Sequence, residues 1–277
     1  MVKEGLSLWK ILKAKVRKLG RSGGYTRQRI YEFLCMLNRV RKHGSYYERS
    51  IFCIPEKKVL YVSVPKAGNT SIKASMYALP VKEDYRAVHS EIRKISEHSR
   101  WSKIGDYPDY FKFTFVRNPF ERLVSCYENK LHSDVAGLGK TLSMLIYDRY
   151  LLGFLGKDRG FISFARRICL IPDRLADKHF MSQSFSLVDK NGNVLLNYVG
   201  RLENMNADYE TIRQKFNFKP LPHYNKTKKE KRNWMDYYDL DTARRVYRRY
   251  KTDIEVFGYQ DTYEKLVAYL KAKEKAA

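Results

Sequence analysis

The stretch that decides the fold is Val59-Leu-Tyr-Val-Ser-Val64, which runs directly into Pro65-Lys-Ala-Gly-Asn-Thr-Ser71 and then Ile72-Lys-Ala-Ser-Met-Tyr-Ala-Leu79. A short, almost wholly apolar run of β-branched and aromatic residues reads as a strand buried on both faces. The loop containing Pro65 and Gly68 ends it, and the segment up to Pro80 has helical character. Strand, tight loop and helix in that order build a parallel sheet. A second unit of the same kind begins at Tyr110-Phe-Lys-Phe-Thr-Phe-Val116, where Arg117-Asn-Pro119 opens another helix. There Asn118 suits the N-cap, Pro119 the first helical position and Glu121 the third.

Outward from these units, the pattern predicts helices near residues 26–42, 84–98, 140–152, 159–168, 205–216, 240–256 and 261–275. Asn191-Gly192, set between Ser184–Asp189 and Val194–Val199, reads as the turn of a β-hairpin. The class is α/β, with a central parallel sheet flanked by helices on both faces as a three-layer sandwich. The division is a basic helical N-terminal extension over residues 1–50, carrying helices of its own, and a main domain over 51–277.

The chain has 277 residues, with 54 Lys and Arg against 30 Asp and Glu and a formal net charge of +24. Its 44% hydrophobic and 14% aromatic content supports a sizeable core, which a disordered basic tail lacks. Residues 1–50 hold thirteen Lys and Arg against three acidic residues, and a second basic block runs from Lys219 to Lys251. Such an excess predicts an anionic partner: nucleic acid, phospholipid surface, acidic polysaccharide or phosphorylated cofactor. Charge alone does not choose among them.

Cys35, Cys53, Cys126 and Cys169 are scattered, with no C-x-x-C pair and no His spacing suited to zinc, so they read as free thiols in a reducing compartment. No apolar run reaches the roughly 18 residues of a membrane span. The N-terminus lacks the apolar core of a secretory signal. Residues 6–19 form a basic, amphipathic stretch suited to lying on an anionic membrane surface, with docking on the domain as the competing use.

A phosphate is commonly held where a strand enters a short loop and then a helix, because loop N–H groups and the helix N-terminus both attract it. Here the loop comprises Pro65, Lys66, Ala67, Gly68, Asn69, Thr70 and Ser71. It is not a Walker A sequence, since G-x-x-x-x-G-K-[ST] is absent and Lys66 precedes Gly68, so the usual route to triphosphate hydrolysis is disfavoured. Arg117 follows a β run directly, which puts it at the carboxyl end of a strand, where open α/β sheets bind ligands. Ser125 lies eight residues further on, within the helix. Read singly, the loop serves equally as a structural turn, and Arg117 as the partner of a carboxylate.

Taken together, PKAGNTS over 65–71 and FVRNPFERLVSCY over 115–127 resemble the two cofactor-binding signatures of the PAPS-dependent carbohydrate sulfotransferases. The likeness is to the group that includes the heparan 2-O- and chondroitin 4-O-type enzymes and their bacterial relatives. Tyr198–Asn204, Leu221–Thr227 and Tyr250–Tyr259 follow in the order seen in bacterial members, so the resemblance spans roughly residues 57–260. It implies the P-loop NTPase-like sulfotransferase fold. It also implies that PAPS donates the sulfuryl group and that adenosine 3′,5′-bisphosphate (PAP) leaves as product. The first loop would hold the 5′-phosphosulfate, with main-chain groups of Ala67, Gly68 and Asn69 and the hydroxyls of Thr70 and Ser71. Arg117 and Ser125 would grip the 3′-phosphate, and Lys226 would close over the 3′-phosphate or adenine side.

The chemistry agrees with the resemblance. Sulfuryl transfer leaves negative charge on the departing phosphate oxygen, which a nearby cation stabilises. Lys66 is placed for that role and matches the family's catalytic lysine. The acceptor hydroxyl must lose a proton to a base with a near-neutral pKa. His89, between the two signatures, matches the interval in which related enzymes place a catalytic histidine. His98 shares the interval, and Glu91 is a reserve candidate. No metal is required. Arg201, in Gly200-Arg-Leu-Glu-Asn204, serves either the site or a structural salt bridge.

The expected acceptor is a carbohydrate hydroxyl, and one already bearing carboxylates or sulfates suits the charge. Asn69-Thr-Ser71 and Asn225-Lys-Thr227 both satisfy the N-glycosylation pattern within loops assigned to the cofactor, which favours a bacterial cytoplasmic setting. Two rivals stand beside this reading. A non-enzymatic nucleic-acid-binding protein fits the charge, but no zinc-finger or RNP signature supports specific binding. An ATP-dependent kinase on a related scaffold lacks the Walker lysine.

Overall fold

The computed structural model describes residues 25–47, 50–79, 91, 104–129, 150–155, 160–222 and 232–276. The basic stretch at 6–19, the helix expected at 84–98 apart from residue 91, and most of that at 140–152 lie outside these residues. The chain forms two compact units, one within residues 1–46 and 127–176 and the other within 47–126 and 177–277.

The first unit contains α1 (Tyr25–His43) and α4 (Gly160–Cys169), with a 3₁₀ turn at Tyr150–Gly153. In α4 the buried residues are Phe161, Phe164, Ala165 and Ile168, the 3–4 spacing that puts one apolar stripe against a core. Arg167 donates to the carbonyls of Phe154 and Leu155, both at 2.9 Å. Tyr46 N–H donates to Arg174 at 2.8 Å and Tyr150 OH to Leu175, which ties the unit's loops together.

The second unit is built on a four-stranded sheet in the order β1 (Ile51–Ile54), β2 (Val59–Val62), β3 (Phe111–Val116), β4 (Tyr198–Arg201). The pairs β2–β3 and β3–β4 are parallel, as the strand–loop–helix units require. β1 is an antiparallel edge strand that the sequence reading did not assign. Its apolar Ile51-Phe-Cys-Ile54 run is four residues long and carries too little periodicity to stand out. Register places Tyr61 beside Phe113, and Val59, Tyr61, Phe113 and Phe115 share one face. Against that face pack Ile72, Ala74 and Met76 of α2 (Asn69–Met76) and Tyr209 and Ile212 of α5 (Met205–Phe216). The alternate residues Leu60, Val62, Thr114 and Val116 are also fully buried, so both faces are covered, which explains strands without polar alternation.

α3 (Pro119–Tyr127) begins as the sequence predicts: Asn118 Oδ1 accepts from Phe120 N–H at 3.0 Å. The second half of the expected capping box does not form, because Glu121 pairs with Arg117 and the Asn118 N–H goes to Glu203 at 2.7 Å instead. The expected helix over 240–256 is two helices, α6 (Leu240–Arg249) and α7 (Lys251–Val256), broken at Tyr250 where φ is −111° and ψ 25°. α8 (Gln260–Ala276) closes the unit.

The hairpin expected around Asn191-Gly192 forms only at its tip. Val188 bridges Val194 antiparallel, Asp189 N–H donates to Asn193 O at 2.9 Å and Leu195 N–H to Leu187 O at 2.8 Å, while Tyr198–Val199 joins the main sheet as part of β4. Residues 184–186 form a 3₁₀ turn because the buried Asp253 carboxylate takes the N–H groups of Gln183 and Ser184, each at 2.7 Å, which a strand would have offered to a neighbour. Gly200 is obligatory in β4, since a Cβ there would lie 2.4 Å from the Phe115 ring.

Candidate active site

Parallel strands deliver their carboxyl ends to one edge of the sheet, and the segments that leave β2, β3 and β4 meet there. The loop after β2 reverses at Pro65–Gly68. Lys66 adopts φ 72° and Gly68 φ 77°, and Ala67 N–H donates to Val64 at 3.3 Å. A lysine in the left-handed region costs on the order of 1 kcal/mol or more, a strain typical of ligand-binding loops. Gly68 stands at the N-cap of α2 with no side chain to take the first amide groups of the helix. The positive φ is what calls for glycine here; a Cβ would otherwise meet only movable side-chain ends, the nearest being Met205 Cε at 2.9 Å. Asn69 Oδ1 accepts from Tyr61 OH, which fixes the first turn of α2 onto β2.

The second signature meets this loop directly. Arg117 Nη1 donates to Lys66 O at 3.2 Å, and Arg117 Nη2 pairs with Glu121 at 2.6 Å. Arg117 Nε is buried and has no hydrogen-bond partner among the described residues. Gly68 leaves the start of α2 without a side-chain cap, and the Arg117 guanidinium lies against the same loop. Arg122 supports the loop from behind. Its guanidinium is only 1% exposed and donates to Pro65 O at 3.1 Å, Met181 O at 3.0 Å and Lys178 O at 3.3 Å. The third strand end contributes Glu203, which accepts from Asn118 N–H and from Tyr259 OH at 3.0 Å. Burial first, and Glu203 second, raise the Tyr259 hydroxyl far above its ordinary pKa, so it stays a donor.

Of the residues nominated from sequence, the structure brings together Lys66, Ala67, Gly68, Asn69, Thr70 and Ser71 in one loop and helix start, with Arg117 against it. Ser125 is half-buried at the seventh position of α3, and no hydrogen bond among the described residues joins it to Arg117. His89, His98 and Lys226 lie outside the described residues. Arg201 forms no carboxylate pair through its side chain among the described contacts. Its guanidinium lies 5.3 Å from the centre of the Tyr259 ring, and its N–H goes to Asp208 at 2.6 Å. Among the described residues no group of His, Cys, Asp and Glu could hold a metal, and no helix is long and apolar enough to cross a membrane. None of the four cysteines forms a disulfide.

Several site-proximal residues escaped the sequence reading. Lys73, on α2, stacks 4.0 Å from the centre of the Phe52 ring, and burial, aided by the charge of Lys178, lowers its pKa to about 7. Asp177 and His179 form a pair at 2.6 Å within the turn held by Arg122. Gln183 bonds the Arg117 main chain. None has a motif of its own: each is a polar residue in an ordinary-looking segment, brought to the site by tertiary contacts alone.

The family model of the sulfotransferase family matches residues 49–260. The chain belongs to the sulfotransferase family. Among curated proteins, carbohydrate sulfotransferase 10 of Rattus norvegicus is 34% identical over 96 residues, covering 29% of this chain and 25% of that protein. Carbohydrate sulfotransferase 10 of Xenopus laevis is 24% identical over 242 residues, covering 76% of this chain and 67% of that protein. Carbohydrate sulfotransferase 8 of Mus musculus is 33% identical over 88 residues, 29% of this chain and 21% of that protein. The chain thus spans about a quarter of the length of the rat relative. No solved structure matches. The mostly parallel α/β sheet agrees with membership of this family.

Proposed function

We propose that this sulfotransferase moves a sulfuryl group from PAPS to a hydroxyl of a carbohydrate by in-line displacement. The observation that supports the reading is the hydrogen bond of Arg117 to Lys66 O, which brings the two sequence signatures into contact. PAPS supplies an activated sulfur–oxygen bond to a phosphate leaving group. The residues of this chain then divide the work. The loop from Lys66 to Ser71 receives the 5′-phosphosulfate through main-chain N–H groups and the hydroxyls of Thr70 and Ser71. The Lys66 ammonium balances the charge that gathers on the departing phosphate oxygen. Arg117 holds the 3′-phosphate, with Ser125 and Lys226 as its partners. His89 takes the proton of the acceptor hydroxyl, and Glu91 is the alternative base. No residue is assigned to a metal.

The net charge of +24 favours an acceptor that already carries carboxylates or sulfates. A glycan on Asn69 would displace the contact of its side chain with Tyr61 and crowd the loop, which supports a cytoplasmic setting.

The test is thermal denaturation of the full chain with PAP, ADP or ATP, repeated for Arg117→Ala. A ligand at 100 times its Kd that binds only the folded state adds roughly 2.7 kcal/mol. Stabilisation by PAP that is lost in the variant is the expected result. Equal stabilisation by ATP, or none by any nucleotide, would overturn the reading and return the basic surface to the front as a nucleic-acid site.

A further inference from the structure

Strand pairing along β3 stops at Val116, and the main chain of the next residue, Arg117, is taken over by a side chain. Gln183 Oε1 accepts from Arg117 N–H at 2.9 Å, while Gln183 Nε2 donates to Arg117 O at 2.7 Å. A carboxamide offers a donor and an acceptor side by side, as a neighbouring strand would. Gln183 is fully buried, so neither bond is shared with solvent. Its own position is set from α7. Asp253, also fully buried, accepts from Gln183 N–H at 2.7 Å, from Ser184 N–H at 2.7 Å and from Ser184 Oγ at 2.6 Å. A carboxylate accepting three hydrogen bonds in a dry setting permits little rotation. The contacts therefore run from Asp253 to the 183–184 turn, from Gln183 to the Arg117 backbone, and from the Arg117 guanidinium to Lys66 O.

We propose that Gln183, held by Asp253, is a positioning residue that aims Arg117 and thereby sets the preference for an adenine nucleotide carrying a 3′-phosphate over one without it. The inference rests on the PAPS reading above. Gln183 acts only through Arg117. With Gln183 removed, the Arg117 peptide loses both partners at the point where the strand ends, and the side chain that grows from it loses its fixed origin.

The test is calorimetric titration of the full chain with PAP and with AMP, which differs only in lacking the 3′-phosphate. Wild type, Gln183→Ala, Gln183→Glu, Asp253→Asn and Arg117→Ala are compared. Wild type is expected to prefer PAP. Gln183→Ala should weaken PAP by about tenfold or more, the scale of one misaimed charge-assisted hydrogen bond to the 3′-phosphate, and leave AMP within about twofold. Gln183→Glu should behave alike, because a carboxylate cannot donate to Arg117 O. Arg117→Ala should abolish the preference. A purely structural role would lower the melting temperature and both affinities in parallel, with an unchanged PAP-to-AMP ratio in Gln183→Ala, and that result would overturn the proposal. Should Asp253→Asn fail to fold, the two Gln183 variants decide. A wild-type protein with no preference for PAP would instead sink the PAPS reading itself, and this is visible before any variant is made.

Discussion

At the amino ends of β2 and β3 the chain sets Lys57 against the last carbonyls of α5, while at their carboxyl ends it sets Arg117 and Arg122 against the loop that opens α2. Lys57 Nζ donates to Phe216 O, and to Asn217 O at 3.2 Å. Beside it is a cavity of about 470 Å³ lined by residues that include Cys53, Tyr77 and Lys219. The two ends use cations on main-chain carbonyls, yet only one has the makings of an anion site. The difference comes from the helices. In a parallel α/β unit the helices end where strands begin, so Lys57 meets orphan carbonyls that consume its charge. At the other end α2 begins, and a helix start favours negative charge instead of consuming a cation. There Arg122 is spent on three carbonyls and Arg117 pairs with Glu121, so the helix start sets the polarity of that end.

The largest expected effect falls on Lys66. Lys66→Ala should lower kcat by about 10² to 10³, the scale for losing one preorganised charge-stabilising group, measured as sulfate transfer at saturating PAPS. PAP affinity should change far less, since the transferred group is missing from PAP. A kcat within a few-fold of wild type would remove Lys66 from the reaction and erase the distinction between the two ends.

Arg122 tests the support rather than the chemistry. Arg122→Leu leaves the carbonyls of Pro65, Lys178 and Met181 without their donor and should destabilise the chain by about 3 kcal/mol, read from urea unfolding. Unchanged stability would show that the loop does not depend on that guanidinium.

These residues also mark what the sequence made legible. The strand–loop–helix units at 59–79 and 110–127 announced themselves because their strands are buried on both faces and their breaks fall at Pro65, Gly68 and Pro119. The loop and Arg117 were legible for the same reason: position at a strand's carboxyl end is a local fact. Arg122, Gln183, Glu203 and Asp253 were not, since their partners lie between 56 and 85 residues away. The hairpin around Asn191-Gly192 forms only at its tip, because a turn signal specifies the reversal and not how far the flanking segments go on pairing. Val199 found Thr114 instead of a partner across the turn.

A pH measurement sharpens the comparison along α2, which runs between the two ends. Burial holds Lys73 near a pKa of about 7 in the folded chain, below its ordinary value of 10.5. Below pH 7 both folded and unfolded states bind this proton, and the burial cost is fully present. From about pH 7 towards 10 the unfolded state binds more protons than the folded one, so stability from this group rises with pH. Wild type should therefore gain on Lys73→Met as pH is raised from 7 to about 9.5 in denaturant midpoints. Parallel curves would place Lys73 in water.

The smallest effect is at the amino ends. Lys57→Ala removes a surface cation from the C-terminus of α5, an interaction worth about 0.3 to 1 kcal/mol at low ionic strength. It should lower the melting temperature slightly, the more so at low salt, and leave PAP affinity and kcat unchanged. The contrast with Lys66→Ala carries the argument: two lysines, two residues before β2 and four after it, differ in consequence because one meets the carboxyl end of a helix and the other belongs to the loop that opens one. A Lys57→Ala variant that weakened PAP binding would mean that charge reaches across the sheet, and helix polarity would no longer account for where the site is.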